Sequence, residues 1–128
     1  MATENKDKLD ILFEMQAGLD AYIREKRDLK FSKGEWVQKK AMALMVELAE
    51  VVEEAKYKWW KNGDQIDEEK LHEEIVDVLH FFLGMAIDSG MTSQELFDIY
   101  LKKNKENYDR QNGLSKKSGY ELSAVKHE

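Results

Sequence analysis

The absence of proline is the feature that most constrains this sequence, because no proline interrupts its 128 residues and only seven glycines occur. Proline breaks helices and glycine weakens them, so such a chain favours long uninterrupted helices over a turn-rich β fold. The length is that of one domain. We therefore predict a single all-α domain over residues 1–128, with a partly irregular tail at about residues 112–128.

Apolar residues recur at three- and four-residue spacings in four segments, which is the pattern of amphipathic helices. Residue types that begin and end helices set the expected bounds. The predicted helices run from about Lys8 to Arg27, from Glu35 or Trp36 to Trp60, from the N-cap Asp67 to Asp88, and onward from the N-cap Thr92.

Composition excludes several classes of function. A formal charge of -6 argues against general nucleic-acid binding. No cysteine is present, so disulfide and thiol chemistry are excluded, as expected for a reducing cytoplasm. The N-terminus has no apolar signal core, and no apolar run approaches the length of a membrane span. We therefore expect a soluble cytoplasmic protein that acts on neither nucleic acid nor membranes.

Two apolar helical runs each carry an isolated pair of acids, Glu47 with Glu50 and Glu74 with Asp77. Residues three apart are neighbours on a helix, so each pair forms an edge of two carboxylates. Valine, leucine and alanine flank these acids, which predicts that they are partly buried. Buried carboxylates need a cation or hydrogen-bond donors to compensate them, and two facing edges would offer the all-oxygen ligand set that Mg²⁺ prefers. The alternative is a solvated helix face, which is common for a lone pair of this spacing.

Three further features admit both a structural and a binding role. Gln16 lies within the apolar pattern of the first helix, where a surface position is the simpler interpretation and ligand recognition the other. Aromatic residues at Tyr57 and Trp60 either pack against a neighbouring helix or form a stacking wall for a base, with Lys58 beside phosphate. His80 on an apolar helix is by default a satisfied core residue.

A cluster of cations and amides follows the acidic middle of the chain. It includes Lys103, Asn107 and Arg110, and Lys116 and Tyr120 lie further along the tail. A metal-bound polyphosphate would need cations of this kind for the oxygens that the metal leaves free. The alternative is a solvated helix end whose lysines complement the helix dipole.

The combined motifs resemble the all-α NTP pyrophosphatase superfamily, which contains MazG and the dimeric dUTPases. Glu47-x-x-Glu50 and Glu74-x-x-Asp77 resemble its metal-binding motif. The flanking pieces resemble the dimeric dUTPase branch over nearly the whole chain from Gln16 to Tyr120: Tyr57-Lys58-Trp59-Trp60, Val76-Asp77-Val78-Leu79-His80-Phe81-Phe82-Leu83, and Tyr100-Leu101-Lys102-Lys103-Asn104. The resemblance implies a four- to five-helix bundle assembled as a homodimer or a dimer of dimers.

The resemblance also implies roles for individual residues. The four acids would bind Mg²⁺, with Mn²⁺ as a substitute, and Glu47 or Glu50 would activate water to split dUTP, and also dUDP, at the phosphates. Gln16 and Trp60 would hold the uracil ring. The remaining residues implied for sugar and phosphate contacts are Lys103, Asn107, Arg110 and Tyr120, with Lys58, Lys116 and His80 as weaker candidates.

The chain departs from the dimeric dUTPases in being shorter, with brief segments after Gln16 and after Trp60. Pyrophosphohydrolase chemistry is therefore better supported than dUTP selectivity, and a dCTP-specific or MazG-like enzyme is the alternative.

A di-iron carboxylate bundle is disfavoured because only Asp77-x-x-His80 approaches its Glu-x-x-His motif. A helical interaction protein is the non-enzymatic alternative. Apolar surface around Phe81, Phe82 and Leu83 favours self-association in each case.

Overall fold

The computed structural model describes residues 5–63 and 65–122. Four helices occur in these residues, and no strand accompanies them there, so the predicted all-α class is confirmed. Residues 1–4, Asp64 and the last six residues of the predicted tail lie outside the described part of the chain. The helices are α1 (Lys8–Lys26), α2 (Lys33–Glu54), α3 (Glu68–Asp88) and α4 (Ser93–Gln111).

Local sequence determines most of the helix ends. Asp7 and Ser32 accept hydrogen bonds from the third residues of α1 and α2, and the Asp10 and Glu35 side chains accept from the cap backbones in return. Asp67 caps α3 as predicted, and α4 begins directly after the predicted cap Thr92. These side chains satisfy backbone N–H groups that have no partner within the helix. The predicted starts of α1, α3 and α4 are therefore confirmed.

The predicted end of α2 at Trp60 is wrong. The helix ends at Glu54, and Lys56 follows in the left-handed region with φ of 58°. Such a residue terminates a helix, but glycine usually occupies it because a side chain there is strained. A lysine gives no sequence signal for a stop, so the sequence pattern predicts a helix that continues through residues 55–60. Tyr57, Lys58 and Trp60 consequently lie in an irregular segment.

The helices α1, α2 and α3 form one compact unit that ends at Ser93, in which α3 packs against both α1 and α2. Its buried apolar residues are Phe13 on α1 with Leu83 and Ala86 on α3. Leu83 is 3% exposed, which corrects its assignment to an apolar surface, whereas Phe82 is 38% exposed. The apolar core is small, so polar interactions carry part of the helix packing.

A buried ion network joins the three helices. Lys40 Nζ of α2 donates to Asp20 Oδ2 of α1 at 2.7 Å and lies 3.1 Å from Asp88 Oδ2 of α3. The second contact is an ion pair without the alignment of a hydrogen bond. Arg24 of α1 donates to the other oxygen of Asp88, and its guanidinium lies 3.9 Å from the Trp36 ring centre. Two cations and two carboxylates thus compensate each other, and of the four only the Arg24 side chain, 31% exposed, keeps substantial contact with water.

Gly84 of α3 makes room for this network. A Cβ placed there would lie 2.5 Å from Lys40 Nζ and 3.2 Å from Asp20 Oδ2. We expect Gly84→Ala to lower the free energy of unfolding by about 1–3 kcal/mol, because two carboxylates hold the ammonium in place. Urea unfolding measures the loss. Gly18→Ala in α1 is the matched control, since its Cβ meets no atom within 4 Å, and it should stabilise by about 0.5–1 kcal/mol. An equal effect of the two substitutions would contradict this packing.

A second compact unit begins at Gln94 and contains nearly all of α4. The prediction of a single domain stays a prediction. Gly113, with φ of 72°, ends α4, and the N–H of Leu114 donates to the carbonyl of Asp109 at 2.8 Å. This closes the helix in the Schellman pattern.

No single helix in the described part of the chain is long and apolar enough to cross a membrane.

Candidate metal and nucleotide site

The packing of α2 against α3 brings three of the four predicted acids together. Glu47 of α2 and Glu74 and Asp77 of α3 each offer a carboxylate oxygen, and these oxygens lie within 4.8 Å of one another. We call these three residues the acid cluster. Glu47 and Glu74 are half-buried, as predicted, whereas Asp77 is exposed. The α2–α3 interface therefore places acids from two helices within reach of one small cation.

Glu50 lies outside the acid cluster and is exposed, so the prediction that it is partly buried is wrong. Its charge nevertheless acts on the cluster. The pKa of Glu74 is raised above its ordinary value, chiefly by burial and then by the negative charges of Asp77, Glu50 and Glu47. Glu50 is therefore near enough to Glu74 to interact electrostatically.

The acids suit a hard divalent cation. All donor atoms of the acid cluster are carboxylate oxygens, which Mg²⁺ and Mn²⁺ prefer over soft metals. Burial first, and then the neighbouring negative charges, raise the pKa of Glu74, and a bound cation would counter both effects. The residues present thus fit the metal that the sequence analysis predicted.

The raised pKa of Glu74 leads to a pH-dependent prediction for Glu74→Gln. Because the pKa of Glu74 is higher in the folded state than its ordinary value of 4.5, the folded state binds protons more tightly there. The stability that this group contributes is complete below that value and is lost as the pH rises through the folded pKa. Without metal, Glu74→Gln should therefore unfold at a higher temperature than the wild type at neutral pH.

The advantage of Glu74→Gln should shrink as the pH falls below 4.5, the ordinary value for this residue. Thermal unfolding in EDTA across this range checks the sign. Glu73→Gln removes the same charge from an exposed neighbouring position outside the acid cluster. A variant at position 74 that is less stable than the wild type at neutral pH would contradict the raised pKa of Glu74.

An apolar groove of about 230 Å³ lies between α1 and α3 and contains two polar residues, Gln16 and His80. Its apolar lining comprises Leu12, Met15, Leu19, Val76, Leu79 and Leu83. Val76 also borders an open cleft lined by Asp77, so the groove adjoins the acid cluster along α3. An apolar groove with few polar groups beside a charged site is a common form of ligand pocket.

Both polar residues differ from their simplest interpretations. Gln16 is only 6% exposed, which rules out the surface position, and its Nε2 donates to Asp20 Oδ1 at 3.1 Å. His80 is exposed rather than a core residue, and its Nδ1 lies 2.8 Å from Gln16 Oε1. The two side chains form one hydrogen-bonded pair in the groove.

The aromatic residues after α2 lie in the same compact unit as α1, α2 and α3. Trp60 is 58% exposed and packs edge-on against Tyr57, with ring centres 5.8 Å apart, and against Trp59 at 4.7 Å. Lys58 Nζ lies 3.9 Å from Glu53 Oε2. These aromatic rings contact one another and keep exposed faces, so a stacking role stays a prediction.

Most of the predicted phosphate and sugar contacts fall in the second unit, whereas Lys58 and His80 lie in the first. Arg110 donates to Glu106 at 3.1 Å and lies 5.8 Å from the Tyr120 ring centre, and its Nη1 is 3.5 Å from Asn107 Oδ1. Hydrogen bonds from Ser115 and Arg110 lower the pKa of Glu106. Lys103 lies one turn before Asn107 on α4, and Lys116 is exposed in the segment after the helix. The second unit therefore brings Asn107, Arg110 and Tyr120 together.

Sequence reasoning missed Asp20, which accepts a hydrogen bond from the Gln16 amide, and Lys40, which donates to Asp20. Each is at most 9% exposed. Lys40 contacts carboxylates on two other helices, at residues 20 and 88. An aspartate on α1 and a lysine on α2, 20 residues apart, have no sequence spacing that marks them as a buried pair. Only the long-range contact between α1 and α2 identifies this pair.

Comparison with known proteins agrees with this architecture. The sequence profile of the dUTPase family matches residues 8–95, which is more than half of the chain. The protein therefore belongs to the dUTPase family, as its motifs indicated. The match spans α1 to the start of α4 and so includes the acid cluster, Gln16 and His80. No solved structure gave a significant match.

Curated relatives come from bacteriophages. The chain is 33% identical over 104 residues to the dCTP pyrophosphatase of Enterobacteria phage T4, covering 80% of this chain and 61% of that protein. It is 40% identical over 45 residues to the dCTP pyrophosphatase of Enterobacteria phage LZ5, which is 35% of this chain and 26% of the relative. A DNA replication protein of phage T4 is 32% identical over 98 residues, 75% of this chain and 25% of that protein. The chain spans less than two thirds of the length of each relative.

Proposed function

We propose that the protein hydrolyses a pyrimidine deoxynucleoside triphosphate, dUTP in the first place, to the monophosphate and pyrophosphate in the presence of Mg²⁺. The observation that carries this proposal is the acid cluster of Glu47, Glu74 and Asp77 in a chain of the dUTPase family. Phosphoanhydride hydrolysis requires charge neutralisation, a positioned water and a base. The acids of α2 and α3 would meet the first need by holding the cation, and one of them would act as the base.

The residues divide these tasks by position. Glu47, Glu74 and Asp77 would hold Mg²⁺ or Mn²⁺, which when bound supplies positive charge to the triphosphate oxygens. Glu50 lies one turn after Glu47, outside the acid cluster but within its electrostatic reach. We assign to Glu50 the removal of a proton from the attacking water. The cluster must hold the cation, so a carboxylate outside it is better suited to act as base.

The groove between α1 and α3 would receive the pyrimidine ring of the nucleotide. Gln16 and His80 supply its polar contacts, and the adjoining acid cluster would then meet the phosphates. Trp60 and Lys58 are proposed as further contacts to base and phosphate. The resemblance of their motifs supports a further set of sugar and phosphate contacts as a proposal, namely Lys103, Asn107, Arg110, Lys116 and Tyr120.

A second candidate substrate is dCTP. Two of the relatives are named dCTP pyrophosphatases, and one of them is similar over 80% of this chain. Uracil and cytosine differ in the donor and acceptor order of one edge, so Gln16 and His80 decide between them in this proposal. Hydrogen-bonded base recognition can separate such substrates strongly.

Incubation with dUTP, dUDP, dCTP, dTTP, UTP and CTP tests the proposal directly. Pyrophosphate and phosphate are quantified with Mg²⁺ and with EDTA. We expect pyrophosphate from dUTP or dCTP well above the ribonucleotides, and none with EDTA. Failure to release pyrophosphate from any pyrimidine deoxynucleotide would contradict the proposal.

A homodimer, or a dimer of dimers, is the proposed assembly. Met42, Met45, Val46 and Val52 follow one side of α2 at three-, four- and six-residue spacings, and each is at least 42% exposed. This stripe leaves much apolar surface in water within the unit, and a second copy would bury it. Sedimentation analysis of Met45→Glu and of the wild type tests the assembly. A monomeric wild type would contradict it.

A further inference from the structure

We infer that Asp20, held by Lys40, is a positioning residue that fixes the direction of the Gln16 amide and thereby the neutral tautomer of His80 in the groove. The inference deepens the proposed function and rests on it for its consequence, which is the choice of base. The contacts that carry it are all within the α1–α3 unit and need no bound ligand.

The first step concerns the Gln16 amide. Its Nε2 lies 3.1 Å from Asp20 Oδ1, and the other oxygen of Asp20 accepts from Lys40 Nζ at 2.7 Å. A carboxylate in an ion pair only accepts hydrogen bonds, so the nitrogen of the amide must face it. The reverse orientation would set the amide oxygen against the carboxylate. At 6% exposure Gln16 has little water to compensate for such a contact.

The second step concerns His80. With Nε2 of Gln16 committed to Asp20, Gln16 Oε1 faces His80 Nδ1 at 2.8 Å. An amide oxygen only accepts, so Nδ1 carries the proton in the neutral ring. The other ring nitrogen, Nε2, is then left without a proton and acts as an acceptor. A ligand that meets His80 in the groove must therefore bring an N–H donor to this nitrogen.

This chemistry suits a pyrimidine edge. Neutral cytosine presents an exocyclic amino group and uracil an imide N–H, and the two stand at different positions on the ring. An acceptor that is fixed in place can therefore favour one base over the other. A histidine free to exchange its proton between the two nitrogens would discriminate less. The remote ion network thus controls base selection through Gln16.

The inference is tested first without substrate. The ¹⁵N chemical shifts of the ring nitrogens report which one carries the proton, recorded at a pH where the histidines are neutral. His72→Gln and His127→Gln assign the other two histidines. In the wild type we expect the proton of His80 on Nδ1. A proton on Nε2 would overturn the inference, whatever the protein hydrolyses.

Two variants remove the Asp20 carboxylate that orients the Gln16 amide. In Asp20→Asn the oxygen of the new amide must face the Lys40 ammonium, so its nitrogen faces Gln16. The Gln16 amide should then reverse, and His80 should carry its proton on Nε2 instead of Nδ1. The double variant Asp20→Asn with Lys40→Met removes one charge of each sign and leaves the Arg24–Asp88 pair intact, which protects the fold. A wild-type tautomer in both folded variants would show that Asp20 does not position Gln16.

Asp88→Asn is the matched control, because it alters the same ion network but leaves the Asp20–Gln16 contact in place. It should lower the melting temperature while His80 keeps its proton on Nδ1. A purely structural role of the network would instead give both variants the same NMR signature.

Kinetics then test the consequence for the base. Asp20→Asn should change the ratio of kcat/KM for dUTP and dCTP by about tenfold, mainly through KM. The reason is that the variant alters one directed hydrogen bond, between His80 Nε2 and the nucleobase. Asp88→Asn should leave this ratio within about twofold of the wild type. An unchanged ratio in Asp20→Asn would overturn the claim for base selection. Inactivity of the wild type on every nucleotide would overturn the proposed function, with the tautomer result still standing by itself.

Discussion

An Asp77→Asn variant is expected to release pyrophosphate at least about a thousandfold more slowly than the wild type, with its helices intact. Asp77 contributes one of three carboxylates whose oxygens lie within 4.8 Å of one another, and it is the exposed member of the acid cluster. Its substitution removes a negative charge from the proposed metal site but no buried packing. The rate with Mg²⁺ and the circular dichroism melt are measured on the same preparation.

Glu68→Gln provides the control for this loss. It removes the same charge from the first turn of α3, where Glu68 is exposed and lies 3.8 Å from His72. We expect its rate to stay within about twofold of the wild type, because exposed charges outside the site are screened by solvent. Full activity in Asp77→Asn would refute the assignment of the acid cluster as the metal site. Loss of activity in Glu68→Gln alone would place the metal elsewhere on α3.

The second large effect concerns stability. Lys40→Met should lower the free energy of unfolding by about 3–5 kcal/mol, since it leaves Asp20 and Asp88 buried with Arg24 as the remaining cation of the network. For a chain of this size the melting temperature should fall by about 10 °C or more. Chemical unfolding in urea gives the free energy, and calorimetry gives the temperature.

The neighbouring lysine serves as the comparison. Lys39 is exposed and lies 4.5 Å from the Phe31 ring centre. Lys39→Met should cost less than about 1 kcal/mol, the range of an exposed cation–π contact. Similar losses in the two variants would mean that the ion network contributes no more than a surface lysine does.

Periodicity and capping residues were sufficient to predict the helices where local chemistry determines the structure. Asp67 and Gly90 bound α3 as their residue types suggest, because a carboxylate can accept from the first turn and glycine tolerates φ of 95°. Lys56 shows the limit of that approach. Its left-handed conformation ends α2 six residues earlier than predicted, and nothing in the residue type signals it.

The acids show what spacing alone can predict in a site. Their i, i+3 spacing identified two carboxylate edges, and the α2–α3 packing brings Glu47, Glu74 and Asp77 together. The sequence could not determine the register between the helices, so it could not separate Glu50 from the other three. Burial of Gln16 was also beyond it, because Asp20, four residues away, and His80, 64 residues away, supply its partners.

Titration with Mn²⁺ followed by electron paramagnetic resonance tests the central claim most directly, since it counts bound cation without requiring turnover. We predict saturable Mn²⁺ binding to the wild type that Mg²⁺ displaces, and strongly weakened binding to Glu74→Gln and Asp77→Asn. Mn²⁺ affinity equal to that of the wild type in both variants would contradict the proposal that the acids of α2 and α3 hold the catalytic metal.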